Sequence, residues 1–277
     1  MTTGAIITEG ARAPAKRRKA HRRTLVGAEI LRLRRRRVLM ITVAMLTLGV
    51  LVIVGGILTV LHVADPARYG PPGGASKLAG FSLALAELGT IAGILVGASA
   101  GSADLSAGVF RALVTTGRPR WALFLARVPG VLAIVVPAIV VTFAAICIYV
   151  VGLSFGTGEP AVEDMVRVGA WVLLDVCVYS LIALGFSAIV GSRSVTVAVL
   201  LATNLVVAQI LSLPLLAFAG LRQTFFFVSL RYIMPSALAV NSGVSWHESP
   251  WYAAVVIALW VVGMLALGAW RTVTRDA

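Results

Sequence analysis

Charged residues are scarce in this chain. Only 13% of its 277 residues are Asp, Glu, Lys or Arg, whereas 59% are hydrophobic and the mean hydropathy is +0.97. A soluble domain of this length carries roughly 25% charged residues, because its surface must be covered with polar groups. The composition therefore excludes a soluble globular protein and predicts that most of the chain is surrounded by lipid.

Cysteine and histidine are also rare. Cys147 and Cys177 both fall within apolar runs, which indicates small packing residues rather than a disulfide framework or metal ligands. The three histidines, His21, His62 and His247, lie in three separate regions outside the apolar runs. We therefore expect no metal site. No grouping of Ser, His and Asp, or of paired carboxylates, suggests catalysis, and we expect no enzyme activity in this chain.

Lysine occurs at only three positions, Lys16, Lys19 and Lys77. A nucleotide-binding P-loop requires the pattern G-x-x-x-x-G-K-[ST], and none of these lysines stands in it. We expect no cofactor in the chain itself. An ATP-driven activity would need a separate subunit.

The net charge of +13 is concentrated near the amino terminus. Twelve of the 24 basic residues lie between Arg12 and Arg37, before the first long apolar segment. A polybasic stretch beside a membrane span is drawn to the anionic inner leaflet by about 1 kcal/mol per charge. This position favours a topology anchor over a nucleic-acid-binding arm.

The rest of the chain divides into apolar stretches long enough to cross a bilayer, which requires about 20 residues each. Residues 1–22 are predicted to be a disordered cytoplasmic tail, and residues 23–37 an interfacial helix on the inner leaflet. A six-helix transmembrane domain is predicted over 38–270, followed by a cytoplasmic tail at 271–277. Its six spans are expected at about 38–61, 79–101, 121–151, 166–190, 195–219 and 251–270.

Two segments depart from a plain pattern of spans and loops. The third span is overlong and contains Pro129 and Pro137, which predicts a kink or an interfacial first turn.

Within 220–250, the apolar run TFFFVSLRYIMPSALAV is interrupted by Arg231 and Pro235. It is too short to span the membrane, so we expect a re-entrant or interfacial pair of short helices. The predicted fold class is an all-α integral membrane protein.

The distribution of basic residues predicts the orientation, because cytoplasmic segments carry an excess of Lys and Arg. With both termini cytoplasmic, the inner segments hold nineteen basic residues and the outer segments five. The outer loop before the fourth span is acidic, with Glu159, Glu163 and Asp164. We therefore expect a multi-pass protein of the cell membrane with both ends inside.

The loop after the second span, SADLSAGVFRALVTTGRPRWALFLAR, runs from Ser102 to Arg127. Asp104 is a candidate N-cap, and Gly117 with Pro119 supplies a stop. Between them, a helix of about three turns would place its apolar residues on one face: Leu105, Val109, Phe110, Leu113 and Val114. From the pattern alone, this helix is either an ordinary interfacial element or a docking element.

The order of residues in this loop resembles the cytoplasmic loop of ABC-2 type transporter permeases. That family shows an acidic residue, small residues, a leucine-rich segment and then Arg or Pro-Ser-Arg before the third span. The corresponding residues here are Asp104, Ser106, Gly108, Leu113, Gly117, Arg118, Pro119 and Arg120. The interfacial helix, the six spans and the segment before the last span also resemble that family. One departure is Gly108-Val109-Phe110-Arg111, where the family often has Gly-Thr-Leu.

The resemblance implies that residues 103–118 form a coupling helix that docks in a groove of a cytoplasmic ABC ATPase. An amphipathic helix suits such docking because its face offers regularly spaced apolar anchors. ATP and Mg would be bound by that partner, and a second copy or a sister permease would complete a dimer. The chain would export an amphipathic or apolar cargo such as a drug, lipid or peptide. The docking residues would be Asp104, Leu105, Val109, Phe110, Arg111, Leu113, Val114, Arg118 and Arg120.

Small residues recur in the second predicted span. Its glycines are four positions apart, a spacing that lets two helix backbones approach closely. The seam formed by Gly89, Gly93, Gly97 and Gly101 would pack either within one chain or against a second copy or a moving neighbour.

Two acidic residues lie within predicted spans, Glu87 in the second and Asp175 in the fourth. A charge inside the hydrocarbon costs at least a few kcal/mol, so such residues are candidates for function. They would line a transport pathway or be structural, for example paired with Arg222 or Arg231. The fifth span adds two polar residues expected to form interhelical hydrogen bonds, Asn204 and Gln209.

Two other classes of function compete with the permease. A proton-coupled secondary transporter would use Glu87 and Asp175 as its titrating pair. Such folds often contain repeats, however, and residues 38–151 and 166–270 show no clear self-similarity. A non-transporting scaffold would use the basic arm to recruit partners.

Deleting residues 1–22 tests the scaffold interpretation. We expect the deletion mainly to lower the amount of protein in the membrane, because the arm is interpreted as an orientation signal. The measurement is the quantity of inserted chain together with the activity per inserted chain. Loss of activity at an unchanged inserted amount would favour the scaffold instead.

Overall fold

The computed structural model describes residues 26–106, 120–155, 158–211, 224–239 and 249–274, and all regular elements in these ranges are helices. The helices are α1 (26–34), α2 (Arg37–Ala64, with a π turn at Leu51–Gly55), α3 (Pro66–Tyr69), α4 (Ala75–Ser106), α5 (Arg120–Leu125), α6 (Arg127–Gly152), α7 (Val162–Val190), α8 (Arg193–Ala202, continued by a π turn at Thr203–Val207 and by Ala208–Leu211), α9 (Phe226–Tyr232), α10 (Ser236–Ala239) and α11 (Pro250–Thr274).

Five stretches of the described chain are long and apolar enough to cross a membrane. They have between 25 and 32 residues and correspond to α2, α4, α5 with α6, α7 and α11. The prediction of an all-α, multi-pass membrane protein is confirmed. The predicted span at 195–219 falls on α8, whose described residues end at Leu211. Its remainder lies outside the described residues, so six spans stays a prediction.

Arginines mark one end of the helix bundle, which we call the arginine end. Here α4, α7 and α11 finish, and the described chain carries Arg120, Arg127, Arg193 and Arg271. Exposed Trp121 and Trp270 lie at the same end. At the opposite end lie exposed Tyr69, Phe155, Trp251 and Tyr252. Aromatic residues at both ends are typical of helices that span a bilayer, because amphipathic rings prefer the interface.

The overlong third stretch is divided at Ala126. Helix α5 ends at Leu125 and α6 begins at Arg127, with Pro129 in its first turn. Proline is tolerated there because backbone N–H groups of the first turn have no intrahelical partner. Pro137 lies inside α6. The predicted break at the start of this span therefore lies between two helices rather than within one.

Helices α4 and α7 form the centre of the bundle and run parallel. Gly93 lies against Val176 and Ser180, whereas Gly101 lies against Leu184 and Ser187, so residue numbers rise together along the contact. Helix α11 crosses α7 where Gly268 meets the backbone of Gly185. Helices α2 and α6 lie side by side and both run antiparallel to α4 and α7. Tyr149 Oη on α6 donates to the Gly55 carbonyl of α2 at 2.8 Å.

The backbone entering α4 is fixed to the end of α6. Gly73 N donates to the Leu153 carbonyl at 3.1 Å, and Gly74 N donates to the Val150 carbonyl at 3.0 Å. These bonds satisfy carbonyls that the last turn of α6 would otherwise leave unpaired. A Cβ on Gly73 would collide with both of those residues, so only glycine permits the contact.

The four glycines of α4 lie along its contact with α7. A Cβ at Gly97 would collide with the Ser180 carbonyl, and one at Gly101 with Ser187 Oγ. At Gly93 it would be 3.0 Å from the Val176 carbonyl. At Gly89 it would be 3.1 Å from Val176 Cγ2 of α7 and 2.9 Å from Ile139 Cδ1 of α6. Backbone-to-backbone contact at this spacing requires residues without side chains. In this structure the seam is made within one chain.

Gly97→Ala is expected to destabilise the protein by about 1–3 kcal/mol, the range typical of overpacked cores. Gly80→Ala is the matched control on the same helix, because its Cβ would meet nothing within 4 Å. The control should be neutral or slightly stabilising, since alanine favours the helix. The measurement is the thermal unfolding midpoint of each purified variant in detergent. Equal thermal unfolding midpoints for Gly97→Ala and Gly80→Ala would contradict close packing of α4 against α7 at Gly97.

Candidate functional site

The two acidic residues within the spans lie at similar depth. Glu87 is the thirteenth residue of α4 and Asp175 the fourteenth of α7, and these two helices are parallel neighbours. With a rise of 1.5 Å per residue, each lies roughly 20 Å from the beginning of its helix. Both are therefore close to the middle of the bundle rather than at either end.

Asp175 is hydrogen-bonded across the α4–α7 contact. Thr90 Oγ1 donates to Asp175 Oδ2 at 2.8 Å. Thr90 is buried and follows the seam residue Gly89 directly, so the seam determines how near its hydroxyl lies to α7. The structure thus gives Asp175 a neutral partner on α4.

Glu87 is hydrogen-bonded to α8. Asn204 Nδ2 donates to Glu87 Oε2 at 3.1 Å, and Asn204 itself is buried. Asn204 lies in the π turn of α8, and such turns, rare in proteins, are frequent at functional sites. The interhelical bond expected of Asn204 is thus found between α8 and α4. The side chain of Gln209, its predicted companion, lies outside the described part of the structure.

Helix α9 brings a basic residue towards the carboxylates. Trp171 Nε1 donates to the Leu230 carbonyl at 2.8 Å, and the Tyr179 ring meets Phe226 edge-on at 5.0 Å. These contacts hold α9 against α7 and place Arg231 close enough to interact electrostatically with Asp175. Arg222, the other predicted partner, lies outside the described residues.

The direction of α9 follows from the same contacts. Phe226 lies beside Tyr179 near the middle of α7, whereas Leu230 lies beside Trp171, which is closer to where α7 begins. Trp260 Nε1 on α11 donates to the Thr224 carbonyl at 2.7 Å. Helix α9 is therefore wedged between α7 and α11 and runs from the middle of the bundle towards the end opposite the arginines.

We call Glu87, Thr90, Asp175, Asn204 and Arg231 the central polar cluster. It combines two carboxyl groups, one guanidinium, an amide and a hydroxyl from four helices. Among the described residues, no three or more His, Cys, Asp or Glu are placed to hold a metal ion. The cluster could bind a proton or a polar group of a cargo, or it could serve to hold four helices together.

A second polar site, which sequence reasoning missed, lies at the arginine end. Arg127 is only 4% exposed, and its Nη1 donates to the Gly101 carbonyl of α4 at 3.1 Å. From the sequence alone, Arg127 is one of the nineteen basic residues assigned to the cytoplasmic side. Its position inside the predicted span 121–151 was a usable signal, because an ionisable residue within a span marks a functional or paired group.

The predicted coupling loop is described only at its edges. Val109, Phe110, Arg111, Leu113, Val114 and Arg118 lie outside the described residues. Asp104 and Leu105 belong to the last turns of α4, which continues through Ser106, and Arg120 begins α5. An N-cap residue precedes the first helical turn, whereas Asp104 lies inside the last turns of α4. The prediction that Asp104 caps a new helix is therefore wrong.

Comparison with known proteins adds no assignment. No protein-family model matches the chain, and no curated protein matches it. Its function must therefore be inferred from the geometry of the two polar sites and from the charge distribution of the sequence.

The bond between Asn204 and Glu87 can be tested by a double-mutant cycle. Asn204→Leu and Glu87→Leu each remove one partner, and we expect their effects on unfolding free energy to be non-additive by about 1 kcal/mol. Thr90→Val combined with Asn204→Leu is the control, because Thr90 donates to Asp175 instead. The measurement is reversible unfolding in detergent. Additive effects of Asn204→Leu and Glu87→Leu on the unfolding free energy would contradict the hydrogen bond between these two side chains.

Proposed function

We propose that this chain is the permease subunit of an ATP-driven exporter of the ABC-2 type, acting with a separate ATPase. The observation that carries the proposal is the continuity of α4. The last turn of this helix, which ends at Ser106, lies within the segment 103–118, and the same helix holds Glu87 near mid-membrane. About nineteen residues separate Glu87 from Ser106, roughly 28 Å of helix. One helix thus connects the place where a motor could dock with the central polar cluster.

The proposed topology has six spans, with the arginine end facing the cytoplasm. Helix α1 lies along the inner leaflet, and α8 with the residues after it supplies the sixth span. Helices α9 and α10 form a re-entrant pair before α11. The contacts of α9 support this arrangement, because they begin near the middle of α7. Such backbone is tolerated at membrane depth only where protein or water covers it.

The central polar cluster supports a pathway within a dimer. Glu87, Asp175 and Arg231 are each neither fully buried nor fully exposed on the single chain. Charged groups at this depth face protein or a water-filled cavity rather than lipid. We therefore assign this side of the bundle to a central cavity shared with a second copy or a sister permease. The cargo is an amphipathic or apolar molecule, because most residues of the spans are apolar.

The proposed mechanism uses α4 as the moving part. ATP and Mg bind to the partner ATPase, whose closure displaces the loop 103–118. Helix α7 follows α4 because their backbones interlock at Gly97 and Gly101. The displacement changes the spacing between these two helices and α8, where Asn204 contacts Glu87. The cavity opens alternately to the two sides.

A proton-coupled transporter is the second candidate. It is favoured by one observation: Glu87 and Asp175 lie at similar depth on the neighbouring parallel helices α4 and α7. Transport that persists without ATP but stops when the proton gradient is collapsed would support it. Transport that needs ATP and is insensitive to the gradient would exclude it.

Charge reversal in the loop tests the permease proposal. We expect Arg111→Glu with Arg118→Glu to lower the amount of ATPase that copurifies in mild detergent at least ten-fold, because the docking face loses two cations. Arg193→Glu is the matched control, since Arg193 is an exposed residue at the same end of the bundle. The control should copurify normally.

The readouts are the ATPase recovered per permease and the cargo transported per inserted chain. The proposal fails if the unmodified chain recovers no nucleotide-binding protein and the reversed variant still transports normally.

A further inference from the structure

A groove with a volume of about 430 Å³ lies between α6 and α7 on the surface of the bundle. We call it the α6–α7 groove, and the residues that line it include Ile139, Phe143, Cys147, Val162, Gly169 and Leu173. The described residues that line it contain no charged side chain. Its volume falls within the range of about 300–1,000 Å³ typical of ligand sites. The groove is therefore suited to an apolar ligand.

Small residues make the groove concave. The Phe143 ring lies directly on the backbone of α7 at Gly169, where a Cβ would be 2.6 Å from Phe143 Cε1. This ring and the buried side chain of Ile139 form the floor. At the rim, Ala144 of α6 and Ala170 of α7 are exposed. The groove is therefore open on the side that faces away from the bundle.

The groove occupies one half of the height of the bundle. On α7 it extends from Val162, the first residue of the helix, to Leu173, which lies two positions before Asp175. The eleven residue steps between its ends rise roughly 16 Å. One leaflet contributes about half of the hydrocarbon core, which is about 30 Å thick. The groove therefore matches in length the acyl-chain region of the leaflet opposite the arginine end.

The width of the groove favours a hydrocarbon chain over a protein helix. Spread over 16 Å, its volume corresponds to a mean cross-section of about 27 Å². An α-helix with its side chains is about 10–12 Å across, which is too wide for this cross-section. A single extended hydrocarbon chain is narrow enough to enter.

Charged side chains of both signs lie beside the end of the groove. Arg167 Nη2 donates to Glu163 Oε1, and both side chains are more than half exposed. Glu163 directly follows Val162, and Arg167 directly follows Val166, and both of these valines line the groove. A zwitterionic lipid headgroup carries a phosphate and an amine, which are complementary to a guanidinium and a carboxylate.

We propose that the α6–α7 groove binds one acyl chain of a zwitterionic phospholipid from the leaflet opposite the arginine end. The chain lies on the Phe143 ring and covers the apolar walls of both helices. Arg167 donates to the phosphate of the headgroup, and Glu163 accepts from its amine. The groove is lined by none of the residues of the central polar cluster, and the lipid site does not depend on the proposed permease function.

The test is photocrosslinking of the full-length protein in lipid nanodiscs. The probe is a phosphatidylethanolamine whose acyl chain carries a diazirine, and mass spectrometry locates the crosslinked residues. We expect saturable crosslinks within 139–147 and 162–173. Unlabelled phosphatidylethanolamine should compete about three-fold better than diacylglycerol, which lacks a charged headgroup, because exposed ion pairs have effects of about this size.

Tryptophan substitutions at the rim test the position of the chain. Ala144→Trp and Ala170→Trp should each lower crosslinking in the groove about ten-fold, because the indole occupies the space of the buried hydrocarbon. Ala133→Trp is the matched control, since Ala133 is an exposed alanine of α6 that does not line the groove. The control should crosslink like the unmodified protein.

A charge substitution tests the headgroup contact separately. Arg167→Gln should remove the preference for phosphatidylethanolamine over diacylglycerol while crosslinking in the groove stays saturable. Arg68→Gln should retain the preference, because Arg68 is an exposed cation at the same end of the bundle that does not adjoin the groove. Equal competition by the two lipids in the unmodified protein would overturn the headgroup contact.

Two further results would overturn the lipid site itself. One is crosslinking that rises linearly with probe concentration and is the same in Ala170→Trp and Ala133→Trp, as expected of lipids that only surround the helices. The other is a groove covered by a second copy of the chain. In Cys177→Ala, Cys147 is the only thiol, and a bis-maleimide would then join two chains through it.

Discussion

Direct backbone contact between α4 and α7 organises the described part of this protein. Lipid gives apolar helices little reason to associate, so close packing and hydrogen bonds must supply the attraction. Glycines on α4 allow the carbonyls of Val176 and Leu184 to approach, and the two helices then interlock in one register. The other spanning helices are arranged around this pair. Helix α11 is joined to it by a second close approach, between Gly268 and Gly185.

The central polar cluster depends on that register. Thr90 reaches Asp175 because it follows a seam glycine, and a shift of one residue along α4 would turn its hydroxyl away. Glu87 lies on another side of α4, where the π turn of α8 presents Asn204. The same packing that holds α4 to α7 therefore sets the distances within the cluster. Movement of α4 relative to α8 would alter the environment of Glu87, which accepts the bond from Asn204.

The arginine end uses a different kind of interaction. There, α4 is held by the side chain of Arg127 as well as by its glycines, and α1 is packed against α6 at Gly130. At the other end, Gly73 and Gly74 join the start of α4 to the last carbonyls of α6. Helix α4 is thus restrained at both ends and along its length.

The sequence by itself determined the class of the protein and the location of most helices. Long apolar runs, scarce charge and glycines at intervals of four have these consequences wherever they occur, because they depend on local chain length and composition. It also identified Glu87 and Asp175, since a charge within a span is conspicuous. Only the tertiary structure decided that Thr90 and Asn204 are their separate donors, and that Arg127 is buried against Gly101. Those contacts join residues 26 to 117 positions apart, and helix rotation and register, which govern them, are set by packing rather than by local sequence.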